Sequence, residues 1–337
     1  PSVGAVIVRN GNIIGKGGTG IYGSDHAEVT ALKDARSSGA ELAGAEIFVS
    51  LEPCSHYGKT PPCTEAIIKS GIKKVYVPIL DPNPLVAGKG IRMLTEAGVE
   101  VEIMHQFSGA ASDLLRGFKK YILRGRSYII NKCAITLDGK IATASGDSKW
   151  ISSEPSRLLV HKLRSKVDAV IVGKNTFAND NPSLNIRPDD FDEGARSVFA
   201  DKSLKLTGRK NFLIEELLKS EPDPSVEPLR ILIGMPDYIP GDCNFFRNDN
   251  YIIITDEQSY KMAIKKNPEI KQQAGKLNLF VGPDCDSDEE TDFIFSILKE
   301  KGVMHAMLEG GGGVNGTFFN SGSIDQFMYI IAPKVAG

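Results

Sequence analysis

Short apolar runs alternate with helical patterns along the whole chain. "VGAVIV" (residues 3–8) and "NIIGKG" (12–17) flank Asn10-Gly11, the dipeptide of a two-residue hairpin turn. Residues 26–39, "HAEVTALKDARSSG", read as an amphipathic helix closed by Gly39. The runs "EIFVSL" (46–51), "KVYVPIL" (74–80) and "VEVEI" (99–103) predict strands, and "CTEAIIKSG" and "GIRMLTEAG" between them predict helices ending in glycine. Strand, helix and strand at this spacing predict an α/β layer with parallel neighbours. One more helix, over about 109–124, leads to "RGRS" and a fresh strand at "YIINKCAI" (128–135). The domain boundary falls there, giving units 1–124 and 128–337.

The second half repeats the alternation. Strands are predicted at "DAVIVG" (168–173), "LRILIG" (229–234), "YIIIT" (251–255), "KLNLFVG" (276–282), "VMHAMLEG" (303–310) and "FMYIIAP" (327–333). Residues 189–227 carry many acids and few large apolar side chains outside "FLIEELL", so they read as a surface insertion with one helix. No repeat of fixed period is present. The fold class is therefore α/β in two domains, as expected for 337 residues.

Composition narrows the function. Lys and Arg number 40 against 42 Asp and Glu, which argues against a broad electrostatic footprint for nucleic acid or an anionic membrane. No apolar run approaches the ~20 residues of a spanning helix. Five cysteines, sparse and odd in number, suit a reducing, cytoplasmic compartment better than a disulfide framework. The chain opens at Pro1 inside a strand entry and stops at "IAPKVAG", so truncation at both ends is expected.

Chemistry concentrates in "LEPCSHYGKTPPC" (51–63), where Cys54 and Cys63 stand nine positions apart. A pair of thiols on its own is usually a pair of small buried hydrophobes. Zinc needs further nitrogen or sulfur ligands, and the candidates are His26, in "HAE", and His56, between the cysteines. His-x-Glu followed by Pro-Cys…Cys is the constellation of the zinc deaminases, in which the glutamate carries protons and binds no metal. His26, Glu28, Cys54 and Cys63 fit it. Three protein ligands leave the fourth position open, the metal acidifies water there, and a neighbouring carboxylate can shuttle the proton.

Nucleoside and tRNA deaminases separate the two cysteines by two residues, whereas here there are eight, "SHYGKTPP". That loop, with "DPNP" (81–84) and "AGKG" (87–90), resembles the deaminase domain of the bifunctional riboflavin-biosynthesis deaminase/reductase family. The stretches "NKCAITLDGKIAT" (131–143), "SGDSKWISS" (145–153), "GKNTFANDNPSLNIR" (173–187) and "LEGGGGVNGTFF" (308–319) resemble its reductase domain, in the same order. The resemblance covers nearly the whole chain. It implies a cytidine-deaminase-like α/β/α domain followed by a dihydrofolate-reductase-like α/β domain, with Zn2+ and NADPH as cofactors. It also implies a phosphorylated pyrimidine substrate and a homo-oligomer, dimer or tetramer. Carried across by motif, Lys59, Asp81 and Asn83 contact substrate in the first domain. In the second, Lys132, Arg187 and Glu309 fall on substrate-binding places, and Ser183 and Leu184 line the phosphate end. Ser148, Trp150, Ser152, Asn179, Asp180 and the Gly310, Gly311, Gly312, Gly313 turn fall around the cofactor or the shared cleft.

Three positions depart from the family pattern. Thr19 stands where the family has a histidine, the family's "PNPxVG" asparagine has no counterpart from Pro1 onward, and "ILIGMP" (231–236) lacks the usual aspartate. Four glycines after a strand could be a tight turn, although consecutive small residues also let backbone N–H groups reach an anion. Their spacing is not that of a Rossmann fingerprint. His105, His161, His305, Cys133, Cys243 and Cys285 are assigned no function. The expected activity is zinc-dependent deamination of a diaminopyrimidinone ribosylamino phosphate, then NADPH reduction of its ribosyl group. The alternative is a zinc nucleobase or nucleic-acid deaminase with an appended non-catalytic domain.

Overall fold

The computed structural model describes residues 1–20, 23–58, 60–143, 152–186, 227–284 and 287–336. Lys59, Ser148, Trp150, Arg187 and nearly all of the expected insertion at 189–227 lie outside the described residues. The chain divides into two compact units, Pro1–Arg124 and Gly125–Gly337. Among the described residues no helix is long and apolar enough to cross a membrane.

The first unit is built on strands β1 (Gly4–Arg9), β2 (Asn12–Gly18), β3 (Glu46–Val49), β4 (Lys74–Val77) and β5 (Glu100–Ile103), in the order β2-β1-β3-β4-β5. β1 runs antiparallel to β2 and β3, and β3, β4 and β5 are parallel. The hairpin turns at Asn10 (φ 51) and Gly11 (φ 78), the two left-handed residues a type I′ turn requires. Helices α1 (Ala27–Ser37), α2 (Cys63–Ser70) and α3 (Lys89–Glu96) contribute Ala27, Ala31, Leu32, Ala35, Ile67 and Leu94 to one core with Ala5, Ile7, Ile47, Val49, Val75 and Val77 of the strands. Alternate strand residues face the helices, the period-2 pattern that the sequence shows. The helix expected over 109–124 is two helices, α4 (Ser108–Leu114) and α5 (Arg116–Arg124). Leu115 leaves helical geometry between them (φ −103, ψ 12) and is only 2% exposed, so the break turns its side chain into the interior.

The seat of α1 is unusually close. A Cβ on Gly17 would stand 2.2 Å from the Ala27 carbonyl oxygen and 2.4 Å from the Ala31 amide nitrogen, and one on Gly15 would stand 2.5 Å from the Ala31 oxygen. Ala27, Ala31 and Ala35, spaced four apart, are the small side chains along that contact, each 0% exposed.

The second unit carries β6 (Tyr128–Thr136), α6 (Glu154–Arg164), β7 (Ala169–Gly173), α7 (Lys174–Asp180), β8 (Leu229–Ile233), β9 (Tyr251–Asp256), α8 (Glu257–Lys266), α9 (Glu269–Ala274), β10 (Leu279–Gly282), α10 (Ser287–Glu300), β11 (His305–Leu308), α11 (Gly312–Asn320) and β12 (Gln326–Ala332). All adjacent strands are parallel, in the order β10-β9-β8-β7-β11-β6-β12. Apolar clusters lie on both faces, one around Val170, Val172, Leu232 and Phe245, the other around Ile171, Ile231, Ile252 and Phe318. β7 is buried at every residue, which is why its sequence is an unbroken apolar run. The chain steps outward from β7 to β10 and then returns to lay β11 between β7 and β6. Such a reversal opens a crevice at the carboxyl ends of the strands, where α/β sheets bind ligands.

We expect Gly17→Ala to destabilise the first unit, because its methyl group meets backbone rather than a mobile side chain. Overpacking of this kind costs about 1–3 kcal/mol. Urea unfolding followed by a probe in that unit measures it, and an unchanged midpoint would show that α1 can ride away from β2.

Candidate functional site

The first site assembles at the ends of three segments. His26 is the residue before α1 and has extended backbone (φ −73, ψ 162), Cys63 opens α2, and Cys54 follows β3. His26 Nδ1 lies 3.2 Å from Cys63 Sγ and 3.5 Å from Cys54 Sγ, and the three donor atoms fall within 4.8 Å of one another. Tetrahedral zinc bonds of about 2.0–2.1 Å to nitrogen and 2.3 Å to sulfur place N and S roughly 3.5 Å apart, so these residues fit zinc. His56, the other candidate, is exposed and stands outside this group.

The two thiols are shifted in opposite directions. A hydrogen bond from the Cys63 side chain, helped by the Cys63 backbone N–H 3.2 Å away and by His26, lowers Cys54 to about 5. The same hydrogen bond, together with burial, pushes Cys63 up. Metal binding requires both thiols to be deprotonated. Glu28, the second residue of α1 and 4% exposed, has its carboxyl raised to about 7 by burial, with the negative charge of Cys54 adding to the rise. A group poised there can take and return a proton near neutrality. Cys54 is fixed further by its own carbonyl, which accepts from the Thr64 backbone and hydroxyl at 3.2 and 3.1 Å.

Asp81 and Asn83 sit in a loop near this group and shape it themselves. Asp81 Oδ1 accepts the Asn83 N–H (2.8 Å) and Asn83 Oδ1 accepts that of Leu85 (3.0 Å). Burial pushes the Asp81 carboxyl up, and the nearby Glu52 charge adds to this. Thr19, the departure from the family pattern, engages the Val3 backbone, accepting its N–H at 3.2 Å.

The second site lies at the carboxyl ends of β7 and β11, beside the middle of β6. Glu309 follows β11 and forms a two-bond pair with Arg164 at the end of α6, Nε to Oε1 2.7 Å and Nη2 to Oε2 3.0 Å. Lys132 of β6 stands 3.5 Å from the same carboxylate. Burial would raise Glu309, but Arg164 and Lys132 overcome it and hold the carboxyl at about 2. The glycine run becomes a turn and helix start, with Gly311 as N-cap of α11 and its N–H donating to Thr176 Oγ1 at 3.0 Å. Gly310 is confined, since a Cβ there would meet Val314 at 3.2 Å, whereas Gly312 and Gly313 face open space. Asn315 links the turn to the strands, donating to Gly310 O (2.9 Å) and accepting from Asn131 (3.0 Å).

Ser183 and Leu184 lie on the loop beyond α7, and Leu184 adopts φ +50, a left-handed conformation rare for a branched side chain. The next carbonyl, that of Asn185, accepts from Arg164 Nη1 (3.2 Å) and contacts His161 Nδ1 (3.1 Å), so α6 grips this loop. Asn179 and Asp180 are exposed at the end of α7, and Thr176 is the member of that helix that reaches the glycine turn. Ser152 lies before α6, its carbonyl accepting from Arg157 at 3.0 Å. Sequence reasoning passed over Arg164, Thr176 and Glu52. The buried-acid position in "LEPC" was the one available signal for Glu52.

The chain matches the RibD C-terminal domain family over residues 127–337 and the cytidine and deoxycytidylate deaminase zinc-binding region over residues 1–79. It is 37% identical over 337 residues to the riboflavin biosynthesis protein RibD of Aquifex aeolicus, covering 100% of this chain and 82% of that protein. Against the RibD of Bacillus amyloliquefaciens the identity is 37% over 347 residues, covering 100% of this chain and 80% of the relative. The solved structure of Acinetobacter baumannii RibD is similar at TM-score 0.75 and 30% identity, covering 99% of this chain and 81% of that one. The diaminohydroxyphosphoribosylaminopyrimidine deaminase/5-amino-6-(5-phosphoribosylamino)uracil reductase of Thermotoga maritima is similar at TM-score 0.74 and 32% identity, with coverage of 99% and 81%.

The Glu309 cluster yields a pH prediction. Its carboxyl is depressed from 4.5 to about 2, so the stabilisation is complete above pH about 4.5 and lost as pH falls toward about 2. A shift of that size corresponds to roughly 3 kcal/mol. Arg164→Met should leave Glu309 buried and underpaired, at a cost of about 3–5 kcal/mol near neutrality. The difference in unfolding free energy between parent and variant should narrow from pH 7 to pH 3, as Glu309 protonates in the variant. A gap constant across that range would remove the ion pair as its cause.

Proposed function

The chain belongs to the RibD family of bifunctional riboflavin-biosynthesis deaminase/reductases, and from that premise we propose which of its residues carry each reaction. The enzyme deaminates 2,5-diamino-6-(5-phosphoribosylamino)pyrimidin-4-one hydrolytically and then reduces the ribosyl group to ribityl, with Zn2+ and NADPH as cofactors. We assign deamination to residues 1–124 and reduction to residues 128–337. The observation that carries the first assignment is the convergence of His26, Cys54 and Cys63 beside the buried Glu28. The second rests on the Lys132–Glu309–Arg164 cluster beside the glycine turn at the strand ends.

In the deaminase unit His26, Cys54 and Cys63 would hold zinc, which would acidify the attacking water. Glu28 takes a proton from that water on its carboxylate and returns it to the departing amine nitrogen. Its burial suits both halves of the task, because the raised carboxyl neither stays ionised nor holds its proton permanently. Asp81 and Asn83 recognise polar groups of the substrate, and Lys59 meets its phosphate. A cytoplasmic setting fits this reading, since Cys54 and Cys63 must stay reduced to hold a metal.

In the reductase unit NADPH, when bound, supplies the hydride that reduces the ribosyl carbon. Gly310, Gly311, Gly312 and Gly313 border the cofactor, Gly312 and Gly313 offering it their backbone N–H groups at the start of α11 while that of Gly311 is held by Thr176. Lys132 and Glu309 orient the sugar: with Glu309 held ionised by Arg164, it accepts hydrogen bonds from hydroxyls and Lys132 donates to them. Ser183, Leu184 and Arg187 take the phosphate end, and Ser148, Trp150, Ser152, Asn179 and Asp180 surround the cofactor. The alternative of a nucleic-acid base deaminase with a non-catalytic second half is disfavoured by the match of residues 127–337 to the reductase family.

Incubating the zinc-loaded enzyme with the diaminopyrimidinone phosphate, with and without NADPH, tests the reading by product mass. Glu28→Gln should keep zinc and lose deamination by about 10²–10⁴-fold while still reducing the already deaminated substrate. Lys132→Ala should do the reverse. A Glu28→Gln enzyme that deaminates within about threefold of the parent would end its assignment as proton carrier.

A further inference from the structure

Glu52 is a buried acid that the chemistry above does not use. It is 3% exposed and stands two residues before Cys54. Its Oε2 accepts the backbone N–H of Asp81 (3.0 Å) and Gly88 (2.9 Å), and its Oε1 accepts those of Gly90 (2.9 Å) and Ile91 (3.3 Å). Gly90 and Ile91 are the second and third residues of α3, whose N-cap, Gly88, has φ 78 and no side chain to offer. Glu52 therefore caps that helix from another element, and the amide dipoles at the helix start balance its charge.

The same contact presses the loop against the metal-ligand segment. A Cβ on Gly90 would lie 2.1 Å from the Pro53 carbonyl oxygen and 3.1 Å from Glu52 Oε1, and the Glu52 N–H also donates to the Ile79 carbonyl at 3.2 Å. Between Asp81 and Gly88 only Val86 is buried, and Leu85 is 76% exposed, so apolar packing does little to hold this loop. Its position depends on one carboxylate attached to the segment that ends in Cys54.

We propose that Glu52 is a positioning residue for deamination, fixing the loop that carries Asp81 and Asn83 in register with the zinc ligand Cys54. The inference rests on the reading of Asp81 and Asn83 as substrate contacts. Only a carboxylate satisfies all four donors. The amide of Glu52→Gln keeps one accepting oxygen and turns an NH2 group toward two backbone N–H groups, which have no other partner among the described residues. The ligand segment itself keeps its hydrogen bonds through the Cys54 carbonyl, so the loop shifts and the metal site does not.

The test compares Glu52→Gln and Gly90→Ala with the parent, full-length and zinc-loaded. The readouts are steady-state deamination, zinc content, and the thiolate-to-metal absorption of the cobalt-substituted protein. Losing two hydrogen bonds should raise KM by roughly tenfold or more, with kcat within about threefold. Zinc content, cobalt spectrum and reduction of the already deaminated substrate should stay at parental values. Gly90→Ala should raise KM similarly by forcing the loop away while leaving every hydrogen-bonding side chain in place, and it carries the test alone if Glu52→Gln does not fold. Two further variants, Asp81→Asn and Asn83→Ala, separate the possible failures. If they raise KM while Glu52→Gln and Gly90→Ala do not, the positioning role is wrong. If they too leave KM unchanged, the substrate-contact reading fails and the proposal falls with it. Loss of zinc from Glu52→Gln would make Glu52 a support of the ligand segment and overturn the proposal as stated.

Discussion

A carboxylate removed from water must recover its lost hydration from somewhere, at a penalty of several kcal/mol if it does not. Three glutamates set the chemistry here, and each meets that demand differently. Glu309 recovers it from cations, Arg164 and Lys132, and stays ionised far into acid. Glu52 recovers it from four backbone N–H groups and holds a loop in return. Glu28 is left undercompensated, and its carboxyl climbs to about 7. The same side chain thus serves as a fixed anion, a structural acceptor and a proton carrier, according to what the fold places against it.

The first unit can leave Glu28 undercompensated because its helix is seated closely on the sheet. α1 rests on backbone at Gly15 and Gly17 rather than on interdigitated side chains, and alanines line the contact. That leaves little room to relax, so His26 and Glu28 arrive at the helix start with fixed spacing. The thiols need the same precision, since a donor displaced by an ångström no longer fits a tetrahedral metal.

How much of this was legible in the sequence depended on range. The Asn10-Gly11 turn, the strand runs and the His26–Glu28–Cys54–Cys63 set were readable because each rests on local spacing or on a motif of fixed chemistry. The eight-residue cysteine loop narrowed the family further. Arg164 was invisible because its helix was not expected and its partner, Glu309, is 145 residues away. Thr176 lost out to Asn179 and Asp180 because motif matching does not show which face of α7 meets the glycine turn. Glu52 looked like part of the cysteine motif until its four acceptor contacts were in view. The break at Leu115 was hidden because helical spacing continues across it while tertiary packing overrides it.

The late return of β11 governs how the second unit is made. β6 pairs with β11 and β12, so Tyr128 meets its neighbour His305 only after all the residues between them have been made. Until then the strongly apolar β7 has β8 on one side and an open edge on the other. Contacts of such long sequence separation form slowly, and unpaired parallel edges invite misassembly. During synthesis, which proceeds at roughly 5–20 residues per second, the deaminase unit can therefore complete its sheet while the reductase unit waits many seconds with its central edge unpaired. Its yield is then exposed to mispairing of that edge as well as to the stability of the finished sheet.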